Sequence, residues 1–432
     1  MSQYTALTAR AAGDLDPEFG EDKDGKVILR FPDARDTSGE CIAEGPDGEI
    51  YVGGSVDAEG IDIIHKLGIA CLHKNGTLDT EFGKDGYVVL RFGPMQDTHL
   101  RQILFLTVGG EPRILLSGID TKRGEVVLAR LHIDGRVDER FGVKGLLTVK
   151  QPENLAKDLG LGFTPQTTAS MDASGPCTVA DGKIYVVMEV YMPIWIATVA
   201  LLIRLNDDGS FDTAFNKTGY VAVTNQYWGN STIKDILVHN GKITVCGTLA
   251  GHGMVARVNE DGSFDRTFAD NGFKLVENPG PSLEKLVQYS EDAVLAAGWV
   301  SSPTRGVLVC LNDKGEFEPG FNDAKVLFQT FESGVMYFGV GLTNGNIIAS
   351  GRLVSADGSP SFVVARYLIN GKLDTDFGHG KGWSSTRFED HYTVANTMTL
   401  QKDGNVLVLG DWGSGASYAA LIARFLNPAA SR

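Results

Sequence analysis

Apolar residues in this chain come in short runs cut by turn residues at regular intervals. Examples are YVVLRF after Gly86 and YVAVT after Gly219, together with IYVGG, IYVVM, ITVCG, IIASG and VLVLG, each following an Asp-Gly or Asn-Gly turn. Runs this short, bounded by Gly, Asn and Asp, predict β-strands rather than helices.

The runs are organised by a repeat. The stretches GDLDPEFG from Gly13, GTLDTEFG from Gly76, GRVDERFG from Gly135, GSFDTAFN from Gly209, GSFDRTFA from Gly262, GEFEPGF from Gly315 and GKLDTDFG from Gly371 share one pattern. Their anchoring residues are Phe19, Phe82, Phe141, Phe215, Phe268, Phe321 and Phe377, spaced 53 to 74 residues apart. Each motif is followed by a strand, here called a. Strands b and c follow, joined by the Asp-Gly-type turn, and then d, as in ALLIRLNDDG or GMVARVNEDG. Four strands per unit, seven times over, predict an all-β fold, a seven-bladed β-propeller with four antiparallel strands per blade. One domain is expected over 1–432, with blades near 14–75, 76–134, 135–208, 209–261, 262–314, 315–370 and 371–427, the last closing with 1–13. The chain stops after a strand d, AALIARFLNP, and starts with a motif, so pairing of the N- and C-terminal segments closes the ring and removes an open sheet edge.

The GxLDxxFG unit, from Gly13 to about Asn427, resembles the delta-60 repeat. That resemblance implies a propeller scaffold found mostly in bacterial proteins and carries almost no implication about activity.

Composition fits this picture. Glycine supplies 53 of 432 residues, about 12% against a usual ~7%, as many tight turns require. The net charge of −15 repels phosphate backbones and anionic headgroups, so nucleic acid is not an expected partner. Cys41, Cys71, Cys177, Cys246 and Cys310 are dispersed, with no CxxC, which argues against a disulfide framework. The apolar stretch from Val186 to Ile203 is split by the repeat into two strands and a loop, so no transmembrane segment is expected. No signal peptide is seen at the start, which predicts a cytoplasmic protein or export by a signal-independent route.

Residues that repeat with the motif belong to the scaffold. An Arg in strand d precedes the motif Asp by eight residues, as in Arg130/Asp138, Arg204/Asp212, Arg257/Asp265 and Arg366/Asp374. Arg424 should meet Asp16 through ring closure, while Cys71 and Cys310 replace the Arg in two units. The Asp is expected to cap its turn or pair with the Arg, and the Phe to plug the gap between blades. The eight histidines show no i,i+4 or HxH spacing, so no metal site is predicted, and no cofactor motif is present.

Function is expected where the copies differ. In an up-and-down meander the a–b and c–d loops share one face, and that face is the variable one. It carries Tyr227, Trp228, Trp299, Tyr392 and Trp412, candidates for binding a glycan or a partner protein. Five residues beyond the Gly that opens each strand a stand Arg30, Arg91, Lys150, Thr224, Glu277 and Arg387, with Thr330 in the unit lacking that Gly. With strand a innermost, the basic four would form a crescent at one channel mouth and attract an anionic ligand. Unit three carries an apolar c–d hairpin, Tyr191, Met192, Ile194 and Trp195, suited to a protein partner or self-association. The sequence therefore predicts a non-catalytic recognition module for a glycan, anionic small ligand or partner protein. Two alternatives stand beside it. One is a channel-centred hydrolase or lyase with Glu277, His391 or Asp390 as acid/base groups. The other is a structural or virulence-associated component assembling through the unit-three hairpin.

Overall fold

The computed structural model describes residues 11–58, 64–93, 95–167, 175–194, 196–224, 229–277, 279–388, 392–413 and 417–428. They form seven antiparallel sheets around a ring, a seven-bladed propeller with almost no helix. Blade 1 comprises Ala34–Glu44, Ile50–Ala58, His65–Leu72 and Tyr87–Leu90, in that spatial order. Blade 2 repeats the plan with Thr98–Val108, Glu111–Asp120, Glu125–His132 and Leu146–Val149. Blade 7 takes three strands from the C-terminal end, Tyr392–Leu400, Val406–Gly413 and Tyr418–Phe425, and its fourth, Lys26–Leu29, from the N-terminal end. No helix among the described residues is long and apolar enough to cross a membrane. All five cysteines are buried and unpaired.

The sheets settle which strand faces the axis. Strands of the b class touch their counterparts in both neighbouring blades all the way round the ring, so b is innermost. Strand a, four residues or fewer in every blade, lies at the outer rim. This corrects the expectation that a lines the channel.

The motif ties each blade to the next. The paired Arg and Asp side chains lie 2.7 to 3.2 Å apart in all five expected pairs, Arg424–Asp16 included. The acid also accepts the main-chain N–H two residues on, as in Arg140 N to Asp138 Oδ1 at 3.2 Å and Asp376 N to Asp374 Oδ1 at 3.1 Å. Capping and pairing are thus both carried by the one carboxylate. The guanidinium lies 4.5 to 5.8 Å from the centroid of the motif Phe and donates onward to the following unit, Arg130 to the Asp207 carbonyl at 2.7 Å and Arg204 to that of Glu260 at 2.6 Å. Phe19, Phe141, Phe215, Phe268 and Phe377 are fully buried, worth roughly 1.5–3 kcal/mol each. The Gly that opens the motif is required here. At Gly76 φ is +85°, and an added Cβ would lie 2.8 Å from the Phe19 ring.

A second device repeats at the inner edge. In six blades strand b carries a β-bulge at the same place, with an extra residue there: Glu40, Arg101, Lys234, Glu284, Phe338 and Asn396. Facing each bulge, strand c has a glycine: Gly54, Gly118, Gly247, Gly298, Gly351 or Gly410. A Cβ on any of them would lie 1.8 to 2.5 Å from a main-chain carbonyl oxygen of strand b. Blade 3 has Met188 at this position, a side chain the bulged carbonyl leaves no room for. Its inner edge is built from two separate pieces, Gln166–Thr167 and Cys177–Ala180, against Lys183–Met192.

Candidate functional site

Because strand a is outermost, Arg30, Arg91, Lys150 and Arg387 stand at the outer rim of the variable face, all exposed, and form no crescent at a channel mouth. Each also has a local partner. Arg387 pairs with Asp357 at 3.1 Å, and Arg91 donates to the Gly93 carbonyl at 3.2 Å. Lys150 lies beside Glu125, whose carboxyl is raised by burial and by Asp120 and lowered by Lys150. Glu277 is likewise exposed at the rim. Tyr227, Trp228, Trp195, His391 and Asp390 lie outside the described residues. In the unit-three hairpin Met192 is not at the tip but fully buried in the core shared by blades 2 and 3, because it closes the ladder opposite Ala197. Tyr191 is half-buried there, and Ile194 is 66% exposed.

Three of the expected residues, Arg30, Tyr392 and Trp412, do converge at the variable end of blade 7, where Tyr418, which the sequence pattern does not single out, joins them. Tyr392 and Tyr418 face Gly413 from either side in the same register. Both residues therefore project from one face of the sheet, their backbones about 10 Å apart across a residue with no side chain. The Tyr418 ring lies against Gly413, where an added Cβ would be 2.8 Å from it. Both are well exposed. Arg30 closes this end, its Nη1 2.7 Å from Ser417 Oγ and 3.1 Å from the Tyr418 carbonyl oxygen. Trp412, next to Gly413, packs half-buried against the core of blades 6 and 7. Trp299 is separate, on blade 5, where its Nε1 donates to Glu284 at 3.2 Å.

From Tyr418 a strip of polar groups runs through blade 1 into blade 2. The Tyr418 N–H donates to Asp36 Oδ1 at 2.9 Å, and Ser417 Oγ to the Arg35 carbonyl at 3.2 Å. Arg35 pairs with Asp36 at 2.9 Å and with Asp57 at 2.6 Å. Asp57 is 2% exposed, and its Oδ1 has no hydrogen-bond partner among the described residues. Beyond it, Ser55 Oγ donates to Glu40 Oε1 and sits 3.0 Å from His99 Nδ1. Arg101 holds the other Glu40 oxygen at 2.6 Å. Burial pushes the Glu40 carboxyl up, but hydrogen bonding to His99, the Arg101 charge and Ser55 outweigh it and hold it below the usual range. Asp97 accepts from the His65 main chain and ring at 2.8 and 2.9 Å, and from Thr121 Oγ1 at 2.8 Å. Those bonds likewise overcome its burial and lower it. On the blade 7 side, Asp411 accepts from Gly39 N, Ser38 Oγ and Asn396, yet burial dominates and raises its pKa.

Linear spacing could not reveal this seam, since its residues come from separate strands and loops of two blades. One signal was available in a column-by-column comparison of the repeats. Two residues before each bulge stand Ser38, His99, Thr232, Ser282, Met336 and Val394, and His99 is the only titratable side chain among them.

A family model described as a domain of unknown function (DUF5122) β-propeller matches residues 45–82, 240–268 and 342–377, so the chain carries repeats of a propeller family. Comparison with curated proteins finds no match. Among solved structures the chain is similar to a protein of unknown function from Dyadobacter fermentans, at 11% identity over 93% of this chain and 97% of that one, TM-score 0.48. It is also similar to the α-L-arabinofuranosidase Arb93A from Fusarium graminearum, at 11% identity over 96% and 98%, TM-score 0.42. A third is a putative oxidoreductase (glucose dehydrogenase) from Thermus thermophilus, at 14% identity over 93% and 100%, TM-score 0.42.

Proposed function

We propose that this protein is a non-catalytic recognition module, built on the delta-60 repeat, that binds a glycan across blades 7, 1 and 2 of its variable face. The observation that carries the reading is the juxtaposition of the exposed Tyr392/Tyr418 pair with a fixed strip of donors and acceptors. A sugar ring offers apolar C–H faces to an aromatic ring and hydroxyls that both give and take hydrogen bonds. Arg35, Asp36 and Asp57 supply both kinds of polar partner next to the tyrosines. Mixed charge of this sort suits a polyol better than a simple anion, whose approach the acids would oppose. Buried polar groups are also costly, so a polar seam that is not part of the repeated Arg–Asp scaffold is a candidate for function rather than for stability.

A glycan array followed by calorimetric titration of its hits tests this. Tyr418→Ala and Tyr392→Ala should each weaken binding at least tenfold, about 1.4 kcal/mol. Absence of any glycan hit, or hits that ignore both tyrosines, would refute the reading.

One observation favours a second reading, self-association through the unit-three hairpin. Ile194 and Ile196 are 66% and 77% exposed at its tip, and Ile196 holds a φ of 52°, rare for a β-branched residue. Light scattering after size-exclusion chromatography should then show a dimer that Ile194→Asp dissociates.

A further inference from the structure

Between blades 1 and 2, three side chains with metal-ligating chemistry converge from different stretches of chain. His65 opens the third strand of blade 1, Asp97 ends the connection into blade 2, and His99 is the second residue of that blade's inner strand. Their ligand atoms all lie within 4.8 Å of one another. Asp97 Oδ1 is 2.9 Å from His65 Nδ1, and Asp97 Oδ2 is 3.8 Å from His99 Nε2. The two imidazole rings sit 4.4 Å apart, centroid to centroid.

A second, independent observation concerns His99. It is 7% exposed, and its Nε2 has no hydrogen-bond partner among the described residues. A buried polar atom left in that state is destabilising, and here it faces a carboxylate oxygen too distant for a hydrogen bond. The other ring nitrogen is fully engaged. Nδ1 lies 3.0 Å from Ser55 Oγ and 3.7 Å from Glu40 Oε1, and Glu40 is clamped by Arg101. This is how a ligating imidazole is held: one nitrogen gives its proton to an outer hydroxyl or carboxylate, which fixes the tautomer and leaves the lone pair of the other nitrogen aimed at the cation. Asp97 is oriented in the same manner by Thr121 and by the His65 main-chain N–H.

The geometry points to a divalent-cation site formed by His65, Asp97 and His99, with Ser55, Glu40 and Thr121 as its supporting shell. Two imidazoles and one carboxylate suit zinc or another first-row transition ion. Calcium and magnesium, which take oxygen ligands, are disfavoured by the same set. Ligand atoms of a tetrahedral zinc centre stand about 3.4 Å apart, given bonds near 2.1 Å. The 2.9 Å approach of His65 Nδ1 and the 3.8 Å approach of His99 Nε2, made to different oxygens of the Asp97 carboxylate, lie on either side of that spacing. His65 Nδ1 releases to solvent the proton it gives Asp97 when the cation binds. Three protein ligands leave a further position for water or a bound molecule. The ligands lie at the blade 2 end of the same polar strip, but the proposal does not rest on the glycan reading, since the metal titration reads them whether or not a glycan binds.

Cobalt(II) reports this directly, because its visible absorption reveals low-coordinate nitrogen and oxygen ligation. The full-length protein, stripped with a chelator and titrated with Co2+, should develop that spectrum with one equivalent, lose it to added Zn2+, and melt at a higher temperature with Zn2+ present. His99→Ala and Asp97→Asn should abolish the spectrum at concentrations that saturate the wild type. Glu40→Gln, which keeps every ligand, should weaken binding about 10- to 100-fold. His239→Ala and His252→Ala, altered elsewhere in the ring, should bind as the wild type does. His65→Ala, at a partly exposed position, serves as a third ligand variant should the buried ones fail to fold, with circular dichroism as the check. A wild type that gives no cobalt spectrum and no zinc-dependent shift in melting overturns the proposal, as does undiminished binding in folded His65→Ala or His99→Ala.

Discussion

At the scale of single residues, one carboxylate carries most of each motif. The Asp caps its own turn, holds the Arg, and through the Arg reaches the following unit. Where the Arg is replaced, the acid moves outward: Asp79 beside Cys71 and Glu318 beside Cys310 are half-buried, whereas the paired Asp138, Asp212, Asp265 and Asp374 are 3 to 7% exposed. Depth of burial and possession of a partner therefore change together, as the cost of desolvating a charge requires. Arg366 is 1% exposed, so Arg366→Ala leaves Asp374 charged and buried without its cation. We expect a loss of about 3–5 kcal/mol, read from urea denaturation. Arg366→Met with Asp374→Leu should recover much of it.

The same pairs set the acid limit. For Asp138, Asp212 and Asp265 burial raises the carboxyl, but main-chain N–H bonds and neighbouring cations or hydroxyls outweigh it, so all three are held below the ordinary range. A folded-state value depressed below the unfolded value of ~3.9 means that the stabilisation is fully present above the unfolded value. It is lost as pH falls through the folded one. The melting temperature should hold steady near neutrality and fall steeply below about pH 4. Asp138→Asn should start lower and show a shallower fall, and an unchanged slope would count against the account.

At the scale of elements, the bulge and its glycine decide how each blade meets the axis. Gly351 is the sharpest case, since an added Cβ would sit 1.9 Å from the Met336 carbonyl oxygen. Gly351→Ala should cost about 1–3 kcal/mol as the strand shifts to make room. Gly162→Ala, where an added Cβ meets nothing within 4 Å, should be close to neutral. Denaturant titration of the two side by side checks the claim. These elements also show what the chain makes legible before folding. Strands b, c and d were visible because apolar runs and Asp-Gly turns are local signals. The Arg–Asp pairs were visible because seven copies make an eight-residue offset unmistakable. The radial order was not visible, since a four-residue strand such as Tyr87–Leu90 alternates in the same way at the axis or at the rim, and the basic crescent fell with that assumption. Met192 reads as a loop tip only if the hairpin ends early. The ladder in fact runs on to Met192 and Ala197. The His65–Asp97–His99 seam was the least legible, because contact between adjacent blades leaves no spacing in the chain.

At the scale of the whole molecule, the ring depends on a joint between its two ends. Lys26–Leu29 pairs with Ala420–Ala423, completing blade 7. A second tie lies beside it: Gly13 N donates to the Leu426 carbonyl, Leu426 N to that of Asp14, and Gly378 N to that of Ala12, at 2.8 Å each. The N-terminal segment also brings Phe19 into the core between blades 7 and 1 and Asp16 to Arg424. A chain that begins at Phe31 would lose all of these at once. Blades 2 to 5 would keep both neighbours, whereas the last blade would be left with three strands and an open edge along Tyr418–Phe425. Open edges recruit other strands, so the truncated chain should melt at a lower temperature and form concentration-dependent oligomers, followed by light scattering. Hydrogen exchange should show lost protection in blades 7 and 1 first, because their shared core contains Phe19, and only later elsewhere. Adding back a peptide spanning Ala11–Phe31 should restore the monomer if the joint is made of these contacts alone. A truncated chain that stays monomeric with the wild-type melting temperature would mean that packing of the remaining strands, rather than the joint, holds the ring closed.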